Sequence, residues 1–325
     1  MIEKIQHATA SSPEGAKGLV KGVLACAFQN MAFMLPTGLL YLLVKDLLAG
    51  STSGRSTFYL LGCVACFVLI LLTTWFQYNG TYFTTYKESG TRRLTLAERL
   101  RKLPLSFFGK RDLADLTSTI MADCALLETA SSHWIPELIG AMISTTIIVL
   151  SLFFFQWKMA LAAIWVMPVA FLIVLCSKKF LKNMLEKASV YKVNCQDGIQ
   201  EGLETVRDLR SYNMTDSYMK GLTKKIKAVE KHAAVLEFTN AAFVCSAQMI
   251  LKLGMGTVAV VGSMLLVSGE INVLTFFMFL LVVTRMYEPL QISLQNLSAI
   301  ISADVNCKRM DEILSHEEQT GSDVL

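Results

Sequence analysis

Residues 58–76 read FYLLGCVACFVLILLTTWF, an apolar run without a charged residue. At ~1.5 Å of rise per residue, a helix of this length crosses the ~30 Å hydrocarbon core of a bilayer. Lipid offers backbone amides no partner, so the run must be helical. From Gln77 to Leu103 no proline interrupts the chain, and Leu94, Leu96, Leu100 and Leu103 recur at helical spacing. Pro104 then stops the helix. A helix from Phe58 to Leu103 is about 70 Å long. It must project far beyond the membrane.

Five further blocks flank this one. They run over about Val20–Leu48, Ile135–Phe155, Met159–Cys176, Ala241–Val267 and Val273–Val283, the last resuming its apolar pattern after Pro289. Short connections alternate with long ones. Ala49–Ser56, Gln156–Lys158 and Ser268–Ile271 are short, whereas Gln77–Trp134 and Ser177–Asn240 are long. In or just before the short loops the only cations are Lys45, Arg55 and Lys158; the long connections carry many, among them Arg92, Arg99, Arg207 and Lys225. By the positive-inside rule the long connections are cytoplasmic, and with six crossings so are both termini. The expected fold is an all-α membrane protein of six long helices extending into the cytoplasm. A further helix restarts near Asp115 and feeds the third block. Another pair meets near Asn194–Gly202.

Composition supports this. The chain has 325 residues, 53% hydrophobic and 17% charged, with mean hydropathy +0.47. Soluble domains carry about 25% charged residues. A soluble enzyme, a disordered chain and a disulfide scaffold are excluded, and runs rather than alternation argue against an outer-membrane barrel. A net charge of +4 without a basic aromatic patch gives no sign of nucleic-acid binding. Most of the eight cysteines lie in apolar runs. Cys63 and Cys66 have no His or acidic neighbour, so they read as packing rather than a metal or redox pair. The polar stretch Met1–Lys21 is too long for a signal peptide.

Several stretches resemble, in order and spacing, the transmembrane domain of an ABC transporter of the exporter type, in a bacterial half-transporter. Leu103-Pro104-Leu105-Ser106-Phe107-Phe108, then Asp115-Leu116-Thr117-Ser118 and Asp123, are similar to the first intracellular loop, although Ala114 stands where a glycine is usual. Gly202–Arg207 resembles the second loop, with its coupling helix expected near Asn194–Glu201. Ser268–Leu274 resembles the turn between helices five and six, Glu288-Pro289-Leu290 the sixth-helix proline, and Lys308–Leu314 that helix's end.

The resemblance implies a division into residues 1–17 (a cytoplasmic or elbow segment), 18–314 (the membrane domain) and 315–325 (the start of a linker toward a nucleotide-binding domain). It implies two coupling helices that dock on that ATPase domain, through Phe107, Phe108, Leu113, Asp115 and Leu116, and through Asn194, Gln196 and Asp197. Packing within the stalk is the competing reading for the phenylalanines and leucines. No Walker A motif is present: Gly109-Lys110 is followed by Arg111 and lacks the leading glycine. The ATPase is therefore expected fused beyond Leu325 or on a separate chain, and it would supply ATP and Mg. No catalytic, cofactor or metal site is expected in the chain itself. Its expected partners are that domain, a second transmembrane domain (homo- or heterodimer), the lipid of the cell or inner membrane, and an unknown substrate.

Charges inside the blocks are candidates for the substrate pathway, because a charge in hydrocarbon must face a cavity or a partner. Arg285 and Glu288 are placed to pair on one helix face, as a structural pair or a pathway feature. Lys252 reads equally as contact with an anionic substrate or as snorkelling. Asn30, Asn240 and Gln248 join the pathway set, with Gln29, Gln77 and Asn79 as weaker polar residues. Hydrogen bonding between helices is the plainer reading of these. His133 reads as an ordinary interface residue. Export is the expected direction, with siderophore-type import a second option. A non-ATP-driven channel, a secondary carrier or a membrane signalling subunit would leave the long stalks unexplained.

Overall fold

In a computed structural model of the chain, residues 11–50, 55–109 and 113–319 are described, and no strand occurs among them. Six segments are long and apolar enough to cross a membrane: Pro13–Leu48, Ser56–Arg101, Leu116–Phe155, Trp157–Glu204, Thr215–Val267 and Val273–Gln295. The second is 46 residues long, about 69 Å at the helical rise, so the expected projection beyond the membrane is present.

The spans are built from fourteen helices, several ending where proline removes a donor. Helix α1, Pro13–Ala32, starts at an N-cap: the Ser12 hydroxyl accepts a bond from the Gly15 amide at 3.1 Å, with Pro13 in the first turn. Of the stretch 1–17 expected as a cytoplasmic or elbow segment, residues 13–17 form the first turns of α1, and residues 1–10 lie outside the described residues. Pro36 cannot donate to the Ala32 carbonyl, and the first block, expected continuous, divides there into α1 and α2, Leu35–Leu48. Span two is α3, Ser56–Tyr78, and α4, Thr84–Arg101, joined without a break by a π-helical turn at Asn79–Phe83.

The chain continues through α5, Leu105–Phe108, and α6, Leu113–Ser118. A π-turn at Thr119–Asp123 leads to α7, Cys124–Thr129, and a third at Ala130–Trp134 to α8, Ile135–Phe155. Span four is α9, Trp157–Ile164, and α10, Val166–Glu204. Its break at Trp165, also unforeseen, has a local cause: Pro168 leaves the Ile164 carbonyl without its helical donor. Then come α11, Val206–Ser211, α12, Thr215–Val267, α13, Val273–Gln295, and α14, Leu297–Ser315. Helix α13 runs through Pro289 and ends instead at Asn296.

One expected boundary moves. The short helix between the fourth and fifth spans is α11, Val206–Ser211, not Asn194–Glu201. Asn194, Gln196 and Asp197 lie on the long helix α10, where nothing in their helix-compatible sequence stops it. The turn is made at Asn213, whose φ of 54° suits asparagine better than most residues. There the Met214 amide bonds the Leu209 carbonyl at 2.9 Å.

The chain forms two compact units, residues 1–167 with 251–325 and residues 168–250. In the first, α1 packs along α8 so closely that a Cβ on Gly140 would sit 2.7 Å from Cys26 Cβ and 3.2 Å from the Val23 carbonyl. Small residues at such crossings let membrane helices meet. The break at Trp165 frees carbonyls that neighbours satisfy: Tyr287 Oη donates to Ala163 O at 2.5 Å, and Thr257 Oγ1 to Ala162 O at 2.8 Å. At the short-loop end, Arg55 bonds Asp46 at 2.7 Å and Lys158 bonds Glu270 at 2.6 Å. Helix α3 has no buried residue, and the surface it presents suits hydrocarbon.

The second unit is an antiparallel pair, the α10 and α12 portions on either side of α11. Phe180 meets Phe243 and Tyr191 stacks on His232, with ring centroids 6.0 and 3.9 Å apart. Near the tip, Tyr218 Oη donates to Gly198 O at 2.5 Å.

Candidate functional site

Two regions of the first unit gather the residues of interest. The first is the end bearing the long connections. There α4, α5, α6, α7 and α14 enclose a core of Leu96, Leu103, Phe107, Leu116, Cys124, Leu127, Cys307, Met310 and Ile313. Phe107 and Leu116 are buried. Both side chains pack into this stalk core. Phe108 is partly exposed and Leu105 almost fully so, which makes these the apolar groups that α5 presents outward. Leu113 and Asp115 lie in α6, but their side chains are outside the described residues.

Polar bonds tie this end together. Ser89 Oγ donates to Glu128 at 2.5 Å, Arg93 pairs with the same carboxylate at 3.3 Å, and Arg309 pairs with Asp123 at 3.4 Å. Residues after α14 fold back onto the α4–α5 corner. Arg99 bonds Glu318 and, at 2.6 Å, the His316 carbonyl. The Gln319 amide donates to Lys102 O at 2.9 Å, and the His316 ring stands edge-on to Phe107 at 4.9 Å. Burial pushes the Cys307 thiol up to about 11. This fold-back went unread in the sequence, where 315–325 carries only polar composition as a signal.

The second region is a cavity of about 370 Å³ lined by Cys26, Gln29, Asn30, Phe33, Met34, Glu137, Arg285, Glu288, Pro289 and Ile292. Three expected pathway residues, Asn30, Arg285 and Glu288, meet here. Arg285 and Glu288 do pair, at 2.9 Å, three residues apart on α13. Pro289 lacks the amide that the Arg285 carbonyl would otherwise accept from, so that carbonyl is left without its helical donor beside the pair. Asn30 Nδ2 donates to Ser144 at 3.4 Å and Gln29 Nε2 to Thr74 at 3.2 Å, so these amides also bridge helices as expected. Arg285 and Glu288 lie 12 and 15 residues along α13 from Val273, about 18 and 23 Å from its short-loop end. The cavity therefore lies nearer the stalk end of α13 than its short-loop end.

The other three pathway residues do not join it. Lys252 is exposed on α12 and is not part of the cavity lining. Gln248 and Asn240 belong to the second unit. The Asn240 carboxamide oxygen is enclosed there without a hydrogen-bond partner among the described residues. Glu137 was overlooked: it stands within the first turn of an apolar block, and its signal was that single acidic residue. His133, one turn earlier, bonds Tyr82 Oη at 2.9 Å, joining two π-turns as an interface residue. Among the described residues no group of three or more His, Cys, Asp or Glu is placed to hold a metal.

Comparisons with known proteins agree with this architecture. Residues 20–290 match the ABC transporter transmembrane region. The chain is similar to the multidrug resistance-like ATP-binding protein MdlB of Buchnera aphidicola, 23% identical over 71% of this chain and 42% of that protein. It is similar to the ATP-dependent lipid A-core flippase of Desulfotalea psychrophila, 23% identical over 86% of this chain and 49% of that protein. A shorter match, 27% identical over 44% of this chain and 16% of the relative, is to the mycobactin import ATP-binding/permease protein IrtA of Mycolicibacterium smegmatis. The chain thus spans less than half the length of these relatives. With six long spans and a match over most of its length, it belongs to the ABC transporter transmembrane region family.

Proposed function

We propose that this chain is the membrane-spanning part of a dimeric, ATP-driven transporter of the cell membrane. Nucleotide-binding domains, fused or on a separate chain, would sit at the end bearing the long connections, with both termini on that side. One observation carries the reading: span two is about 69 Å long, and its far end is a packed corner rather than a loose loop. A channel or carrier has no need of such a lever, whereas an ATPase working outside the bilayer needs a stiff arm to reach the pathway. Leu105 and Phe108 are the side chains offered for docking at this corner, with Leu113 and Asp115 next in line. Asn194, Gln196 and Asp197 give way to α11 as the second docking element. Asn30, Arg285 and Glu288 line the pathway. All three relatives are named for ATP binding or ATP dependence, and two of them as multidrug resistance-like and as a flippase, which supports export as the proposed direction. The relative named for mycobactin import keeps inward transport as a second reading.

The test is purification of the native complex through this chain in mild detergent, with mass spectrometry for peptides bearing a Walker A lysine. ATP hydrolysis is then measured after reconstitution. Copurifying ATPase activity that falls when Leu105 and Phe108 are both changed to Asp supports the reading. Absence of any ATPase peptide, with crosslinking included, sinks it.

A further inference from the structure

The cavity lined by Asn30, Glu137, Arg285 and Glu288 has an uneven charge balance. Arg285 is taken up by Glu288 at 2.9 Å. Glu137, partly buried, forms no hydrogen bond or ion pair among the described residues. Counted as formal charges, the three groups sum to one negative charge around a space of about 370 Å³. A carboxylate held in or near hydrocarbon is costly unless a positive group meets it. The rest of the wall includes Phe33, Met34 and Ile292. Met34 also borders a second cavity, of about 330 Å³, whose lining includes Met31, Tyr41, Ile147 and Phe155 and carries no charged side chain. The two cavities share Met34 in their walls; one is acidic and the other apolar.

We infer that the paired cavities form a binding site for a lipophilic monovalent cation, with Glu137 as its counter-ion. This rests on the transport reading above and narrows it to a substrate class. The positive group meets Glu137 on the stalk side, and the apolar body extends past Met34 toward Tyr41 and Phe155. The Arg285–Glu288 pair keeps the total at a single negative charge, so monovalent cations are preferred and anions are rejected. An aromatic lining adds affinity for a diffuse cation.

The test compares tetraphenylphosphonium with tetraphenylborate, which share size and shape but differ in sign. Binding of each to the reconstituted complex in nanodiscs is measured against empty nanodiscs, and ATP hydrolysis is followed on the same sample. Glu137→Gln is expected to weaken tetraphenylphosphonium binding at least tenfold, with Glu137→Asp retaining most of it. Arg285→Gln, which frees Glu288, is expected to tighten it severalfold, so a gain as well as a loss is required and misfolding cannot imitate the pattern. Equal cation binding by the wild type and Glu137→Gln, or tighter specific binding of the borate, overturns the inference. If ATP hydrolysis persists in that case, the transport reading stands and only the substrate class is lost. If no ATPase accompanies a protein that still binds the cation, the transport reading fails while the site remains.

Discussion

At the scale of single residues, environment decides what each group can do. Cys307 is enclosed by Leu96, Leu103 and Met310, and its thiol is pushed up to about 11 by burial. It should stay unmodified by maleimide at pH 8 in the native protein and react once the protein is denatured, as peptide mapping will show. Labelling at the native rate of a free thiol contradicts the packing described. Tyr287 supplies a bond to the Ala163 carbonyl beside the helix break. Tyr287→Phe removes that bond from a buried carbonyl, for a loss of about 1–3 kcal/mol, read as a lower melting temperature in detergent. Neither role shows in the sequence, where Tyr287 is one aromatic among many.

Between elements, close approach and turn geometry dominate. Gly140 lets α8 lie against α1, and even a Cβ there would fall 2.7 Å from Cys26 Cβ. Gly140→Leu therefore forces the helices apart and should cost about 1–3 kcal/mol as an overpacked site; an unchanged melting temperature would refute the contact. At Asn213, φ is 54°. A β-branched side chain is strained there, so Asn213→Val should destabilise the α10–α12 tip by about 1–3 kcal/mol while Asn213→Gly is tolerated. Limited proteolysis between residues 205 and 215 reads the difference. The extent of α3 and α4 was legible because Pro104 and the apolar run mark its ends. The second short helix was misplaced because α10 carries no proline or helix-stopping run between Pro168 and Thr205, so its end depends on where the partner helix lets the chain turn.

For the whole molecule, the fold-back of residues 316–319 onto the α4–α5 corner fastens the end of α14 to the stalk of span two. Arg99→Ala removes its bonds to Glu318 and the His316 carbonyl. The Gln319 amide, now held by Lys102 O, should exchange about tenfold faster in hydrogen–deuterium exchange, the equivalent of one modest hydrogen-bonded contact. No change in that peptide would mean the segment is held by something other than Arg99. The number of spans, their lengths and their projection past the bilayer followed from sequence alone, because hydrocarbon forces each apolar run to close its own backbone bonds and proline marks where it cannot. Pairing of Arg285 with Glu288 was equally local, being set by a spacing of three on one helix. Which polar groups share a cavity was decided only by the tertiary structure. Asn30, Glu137 and Arg285 are more than a hundred residues apart in sequence, and only the packing of α1, α8 and α13 brings them to one space, while Lys252 points elsewhere. The same holds for Phe107, whose burial depends on α14 and the chain beyond it returning to cover α5.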